Sequence, residues 1–174
     1  TANVTVTLTG ADSTEHSLSS SSLTFTTSNW NTAQTVTVTG VDDSLDDGDI
    51  TTTLTATASN TGGYAGTETA TTTLKTSDND AAGITIAQTG TTDGSGNLLT
   101  TEAGSTSTFT VVLDAQPTAD VTVTLSGADS TEHSLSSSSL TFTTSNWNTA
   151  QTVTVTGVDD SLDDGDITTT LTAT

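Results

Sequence analysis

Residues 1–57 return almost unchanged as residues 118–174, an offset of 117 positions with two differences, Asn3 becoming Asp120 and Thr9 becoming Ser126. The run TSNWNTAQTVTVTGVDDSLDDGDI is kept letter for letter, at 27–50 and again at 144–167. Each period must therefore be one structural module used over again. Near-identity also speaks against catalysis. An enzyme needs one site, whereas an array of alike modules supplies length, stiffness or multivalency. A module boundary is expected at Ser77-Asp78-Asn79-Asp80-Ala81-Ala82-Gly83, where a Thr-rich segment stops and a new apolar alternation begins. Residues 1–80 then read as the C-terminal part of one module. Residues 81–174 read as the N-terminal and central part of the next, both within a longer tandem array.

The apolar residues alternate with a period of two. Val4, Val6 and Leu8 do so, as do Val36 and Val38, Ile84 and Ile86, Phe109, Val111 and Leu113, and Val121, Val123 and Leu125. That period belongs to half-buried strands, and the intervening Thr residues suit a pleated surface. Gly, Asn, Asp and Ser punctuate the runs as turns. About seven strands per period are predicted, near 83–88, 106–114, 120–126, 140–143, 151–158 and 167–174, with the last represented earlier by 67–76. Seven short antiparallel strands in such a period indicate an all-β sandwich. One inward face per strand leaves a thin core of Val, Leu, Ile and Phe.

Charge narrows the function. Asp and Glu total 21 against the single cation Lys75, for a formal charge of −20. Such a surface cannot neutralise phosphates, so nucleic acid is excluded as a partner and anionic membrane surfaces are repelled. No apolar run approaches the roughly 20 residues of a membrane span, so membrane insertion is not expected. Cysteine is absent, which removes disulfides and thiol chemistry. Extreme Thr, Ser, Gly and Asp usage suits a large secreted bacterial surface protein.

Several runs together carry a family likeness. Leu23-Thr24-Phe25, Asn29-Trp30-Asn31, Gln34-Thr35-Val36-Thr37-Val38 and Val41-Asp42-Asp43 occur in that order. Thr101-Glu102-Ala103-Gly104 precedes a strand, Tyr64-Ala65-Gly66 precedes the last one, and Asp78-Asn79-Asp80 lies at the module boundary. The pattern resembles the Calx-beta repeat, found in arrays in bacterial surface proteins. The resemblance implies an immunoglobulin-like sandwich that binds calcium at one end through carboxylates.

Five carboxylates, Asp42, Asp43, Asp46, Asp47 and Asp49, fall within eight residues and recur as Asp159, Asp160, Asp163, Asp164 and Asp166. Their mutual repulsion is relieved by a divalent cation, and calcium accepts six to eight oxygen ligands in flexible geometry. Oxygen-only donors disfavour zinc and copper. The loop is not an EF-hand: with Gly48 at the turn position, Leu45 and Leu54 stand where carboxylates are required. The resemblance implies that Glu102, Glu132, Asp159, Asp160, Asp163 and Asp166 converge with the terminal acidic tripeptide at one end. The equivalents in the earlier copy are Glu15, Asp42, Asp43, Asp46, Asp49, Asp78 and Asp80. Asn79 interrupts the tripeptide, and Glu15 and Glu132 stand where the family often has Asp-Tyr, so fewer or weaker sites are one outcome. The alternative is a solvated acidic loop holding no specific ion.

Other features carry less. His16 and His133 occupy equivalent repeat positions, which does not suit a unique catalytic group. Trp30 and Trp147 are expected to lie half-buried over a sandwich edge, with glycan stacking as the alternative. Lys75 reads as a surface lysine. The expected function is a calcium-stiffened extracellular spacer rod of an adhesin-like surface protein. Two further readings stay open: a self-assembling fibre or sheath joined by strand complementation between copies, and a glycan-binding module.

Overall fold

A computed structural model describes residues 2–163 and 165–174; Asp164 of the second acidic run lies outside the described residues. The described chain is all-β, with thirteen strands and no helix. It divides into two compact units, one comprising Thr1–Asp43 and Asp47–Asn79, the other Ser44–Asp46 and Asp80–Thr174.

The first unit contains β1 (Val4–Thr9), β2 (His16–Leu18), β3 (Ser22–Phe25), β4 (Val38–Gly40), β5 (Ile50–Ala58) and β6 (Thr69–Thr76). One antiparallel sheet runs β3-β1-β5-β6, and β2 pairs with β4 in a second. Gly10, which closes β1, has φ 91°, and a Cβ there would overlap the Thr53 carbonyl oxygen. Only glycine satisfies both conditions.

The second unit contains β7 (Ile84–Gln88), β8 (Thr106–Leu113), β9 (Val121–Ser126), β10 (His133–Leu135), β11 (Ser139–Phe142), β12 (Gln151–Gly157) and β13 (Thr172–Ala173). Its sheets run β10-β12-β8-β7 and β11-β9-β13. Phe109, Val111, Leu113, Val153 and Val155 project from the first sheet, and Val123, Leu125, Leu140 and Phe142 from the second, into one buried cluster. Two sheets sharing a core through alternate residues make a β-sandwich, with Thr left on the outer faces.

The 117-residue offset maps β1 onto β9, β2 onto β10, β3 onto β11 and β4 onto the end of β12. The first unit holds one sheet with four strands; the second unit holds the other with four. Identical sequence therefore meets different surroundings. Val155 is 5% exposed and its counterpart Val38 41%; Val153 and Phe142 are fully buried while Val36 and Phe25 are half-buried. In the second unit β8 pairs with β12 and β7 with β8; among the described residues β4 of the first unit pairs with β2.

Two departures from the sequence reading are informative. The three-residue strands β2 and β10 were not anticipated, because a single His-Ser-Leu carries no alternation to detect. Residues 167–174, expected as a strand, form only Thr172–Ala173, although the same eight residues at 50–57 lie wholly within β5. The difference lies in the partner: β5 is paired with β6 from Ile50 to Thr57, and β13 meets only β9.

Candidate metal centre

In the first unit the turn before β2 is built by Asp12. Its Oδ1 accepts the Thr14 N–H (3.1 Å) and hydroxyl (2.7 Å), and its carbonyl accepts the His16 N–H (2.9 Å). These bonds, led by the Thr14 hydroxyl, hold the Asp12 carboxyl below its usual range. The turn fixes Glu15, whose carbonyl accepts the Val41 N–H (2.8 Å) and the Thr76 hydroxyl (3.2 Å). Those bonds bring the acidic run after β4 alongside Glu15. Oxygens of Glu15, Asp43 and Asp47 all lie within 4.8 Å of one another, and Glu15 is itself buried.

That spacing fits a calcium ion. Ligand oxygens sit about 2.4 Å from calcium, so two on opposite sides are roughly 4.8 Å apart. The donors are all carboxylate oxygen, the set calcium prefers and zinc and copper do not.

His16 lies beneath this turn, 2% exposed. Its Nδ1 is 3.2 Å from the Thr76 hydroxyl and its Nε2 is 3.0 Å from the Thr52 hydroxyl. Nε2 also accepts the Asp12 N–H at 3.3 Å, which assigns the proton to Nδ1. With both nitrogens occupied, the imidazole is a pillar joining the turn to β5 and β6 and is not a metal ligand. Sequence reasoning gave it no such part.

The remaining candidates of the first copy are placed apart from the trio. Asp49 forms an ion pair with Lys75 at 2.6 Å and accepts the Asp78 N–H at 3.0 Å; the lysine is the main cause of its carboxyl lying below the usual range. Asp78 in turn accepts the Gly48 N–H at 2.8 Å. These bonds tie the end of the acidic loop to the chain leaving β6, and Lys75 already supplies a cation there. Asp46 belongs to the second unit, where it accepts the Ala82 N–H at 2.8 Å. Asp42 and Asp80 are outside the trio. Asp47 belongs to the acidic run but not to the expected ligands; its position four residues beyond Asp43 carries no directional signal in an irregular loop.

In the second unit Glu102, Glu132, Asp163 and Asp166 line one open cleft of about 930 Å³, together with Asp93 and His133. Asp160 accepts the Leu162 N–H at 2.7 Å, and Asp159 is exposed. The offset makes Glu132, Asp160 and Asp164 the counterparts of the trio, and Asp164 lies outside the described residues. Trp147 packs half-buried against the core cluster, as expected, whereas Trp30 is 71% exposed.

Fold and site together define an antiparallel β-sandwich protein with a carboxylate cluster at its surface. No family model matches the chain, and a comparison with curated proteins returns no match.

Proposed function

We propose that the chain is a structural repeat segment of a large extracellular surface protein, a spacer stiffened by calcium held at Glu15, Asp43 and Asp47. The observation that carries this reading is the approach of those three carboxylates, one of them buried, at a turn built by side-chain bonds. A cation held between like charges so close relieves their repulsion. Bound calcium fastens the acidic loop to the turn before β2 and so rigidifies the module. The likeness to Calx-beta repeats and the near-exact repetition both favour a role in length and stiffness.

The experiment is thermal unfolding in excess calcium, in chelator and in magnesium. Calcium at 100 times its Kd adds about 2.7 kcal/mol to the folded state, and magnesium, which demands tighter octahedral geometry, adds less. The Asp43→Asn, Asp47→Asn double variant should lose the calcium increment. Equal melting in all three conditions for the unaltered chain would sink the calcium reading.

A further inference from the structure

We propose that the Asp47–Gly48 step is a site of spontaneous covalent modification, the conversion of Asp47 to isoaspartate, with Asp78 as the base that starts it. The reaction does not depend on calcium, and its failure would leave the calcium reading untouched.

The sequence holds three Asp-Gly steps, at 47–48, 93–94 and 164–165. Glycine after an aspartate leaves the next amide nitrogen without a neighbouring Cβ to shield it, so the three look alike in sequence. Asp164 lies outside the described residues, and the structure separates the other two.

At Asp93 the carboxylate is tied down. Its Oδ1 accepts the N–H groups of Ser95 and Asn97, each at 2.8 Å, and its Oδ2 accepts the Asn97 side-chain amide at 2.9 Å. These bonds, led by the Asn97 side chain, hold the Asp93 carboxyl below its usual range. Both oxygens are engaged further along the turn, and loss of either would break those bonds.

Asp47 is placed differently. Its side chain is exposed, and among the described residues no hydrogen bond restrains its carboxylate. Gly48 has φ 77°, and a Cβ built on it meets no atom within 4 Å, so the loop has room for a ring to close. The Gly48 N–H donates to Asp78 Oδ2 at 2.8 Å, within the reach of a general base. Asp78 is itself fixed, because its own N–H donates to Asp49 Oδ1 at 3.0 Å. Nucleophile and carboxyl are adjacent in the chain, and such neighbours react at effective concentrations far above any in solution.

The step balances. The Asp47 carboxyl, carrying a proton from solvent, is attacked at Cγ by the Gly48 nitrogen; a C–N bond forms and the amide proton passes to Asp78. One carboxyl oxygen then leaves as water, with the solvent proton and the proton that Asp78 returns, and a cyclic imide remains. Water re-enters at either imide carbonyl. Opening at Cγ restores Asp47. Opening at the main-chain carbonyl leaves the chain running through Cβ and Cγ, with the same mass and the carboxylate on Cα. That product lengthens the loop and withdraws the carboxylate from Glu15 and Asp43.

The test is ageing of the full chain in chelator below its unfolding temperature, beside a sample kept in urea. Lys75 is the single lysine and arginine is absent, so cleavage after lysine separates 1–75 from 76–174 and keeps the two like acidic runs apart. Each half is then cut by a protease that cleaves before aspartate but not before isoaspartate, and mass spectrometry counts the blocked sites. In the folded chain Asp47 should convert at least tenfold faster than Asp93, and in urea the two should differ little. Asp78→Asn keeps a hydrogen-bond acceptor but is no base, and should slow Asp47 at least tenfold with melting unchanged. The comparison of 47 with 93 needs no variant and stands should Asp78→Asn not fold. Equal conversion at the two sites of the folded chain, or faster conversion at 93, overturns the proposal. An excess at 47 that survives Asp78→Asn overturns Asp78 as the base.

Discussion

Phe25 and Phe142 hold the same place in the repeat, yet only Phe142 is sealed from water, and truncating each to alanine measures what that difference is worth. Phe142 is fully buried between β8, β9 and β12 residues, so Phe142→Ala removes the whole transfer term and leaves a closed cavity. Such changes cost about 3–5 kcal/mol. Phe25 is half-buried, so roughly half the transfer term is lost. A cost of about 1–2 kcal/mol follows. In urea, with a slope near 1 kcal/mol/M for a small unit, these losses move the midpoint by about 3–5 M and about 1–2 M. Trp147 reports the second unit and Trp30 the first, each followed with the other tryptophan replaced by phenylalanine. Equal midpoint shifts, or a larger one for Phe25→Ala, would refute the reasoning that the difference in burial between the two copies sets the cost.

Three other outcomes follow from the same geometry. His16→Leu fills the space but strips hydrogen-bond partners from Thr52, Thr76 and the Asp12 N–H, and should cost about 1–3 kcal/mol; His133→Leu, at a half-buried position bonded to the Thr169 hydroxyl, should cost less when both are measured by urea unfolding. Gly10→Ala should destabilise the first unit by more than about 1 kcal/mol, because it meets both a positive φ and the Thr53 carbonyl; Gly63→Ala, with positive φ and open space, separates strain from overlap. Asp49 has a lowered folded pKa, so its contribution to stability is present above about pH 4 and is lost as pH falls through the lower folded value. NMR titration should find its midpoint below that of an ordinary aspartate and find it raised by Lys75→Met. A midpoint unchanged by that substitution would remove the ion pair as cause.

The acidic site was partly legible. Glu15 and Asp43 stood among the candidates because the charge run is dense and the family likeness adds the glutamate before β2. Asp47 is not legible as a ligand, since ligand direction in a loop follows no period that a sequence displays. The pairing of Lys75 with Asp49 depends on the register of β6 against β5, where Thr51 faces Lys75. Register is a long-range property, and the reading of Lys75 as a surface residue held no trace of its partner. His16 was likewise opaque: its burial comes from Thr52 and Thr76, which arrive from the far end of the unit.

By itself the sequence determined the class of fold. Alternation with a period of two is a local property of each strand, and Thr between Val, Leu and Phe commits the chain to pleated surfaces with one apolar face. The repeat also determined that like strands recur at a fixed offset. Only the tertiary structure decided which of those apolar faces become core. Val153 and Val36 share every near neighbour in sequence, and β8 covers one of them alone. Burial needs a facing strand from a distant part of the chain, and no local pattern can state whether that strand is there.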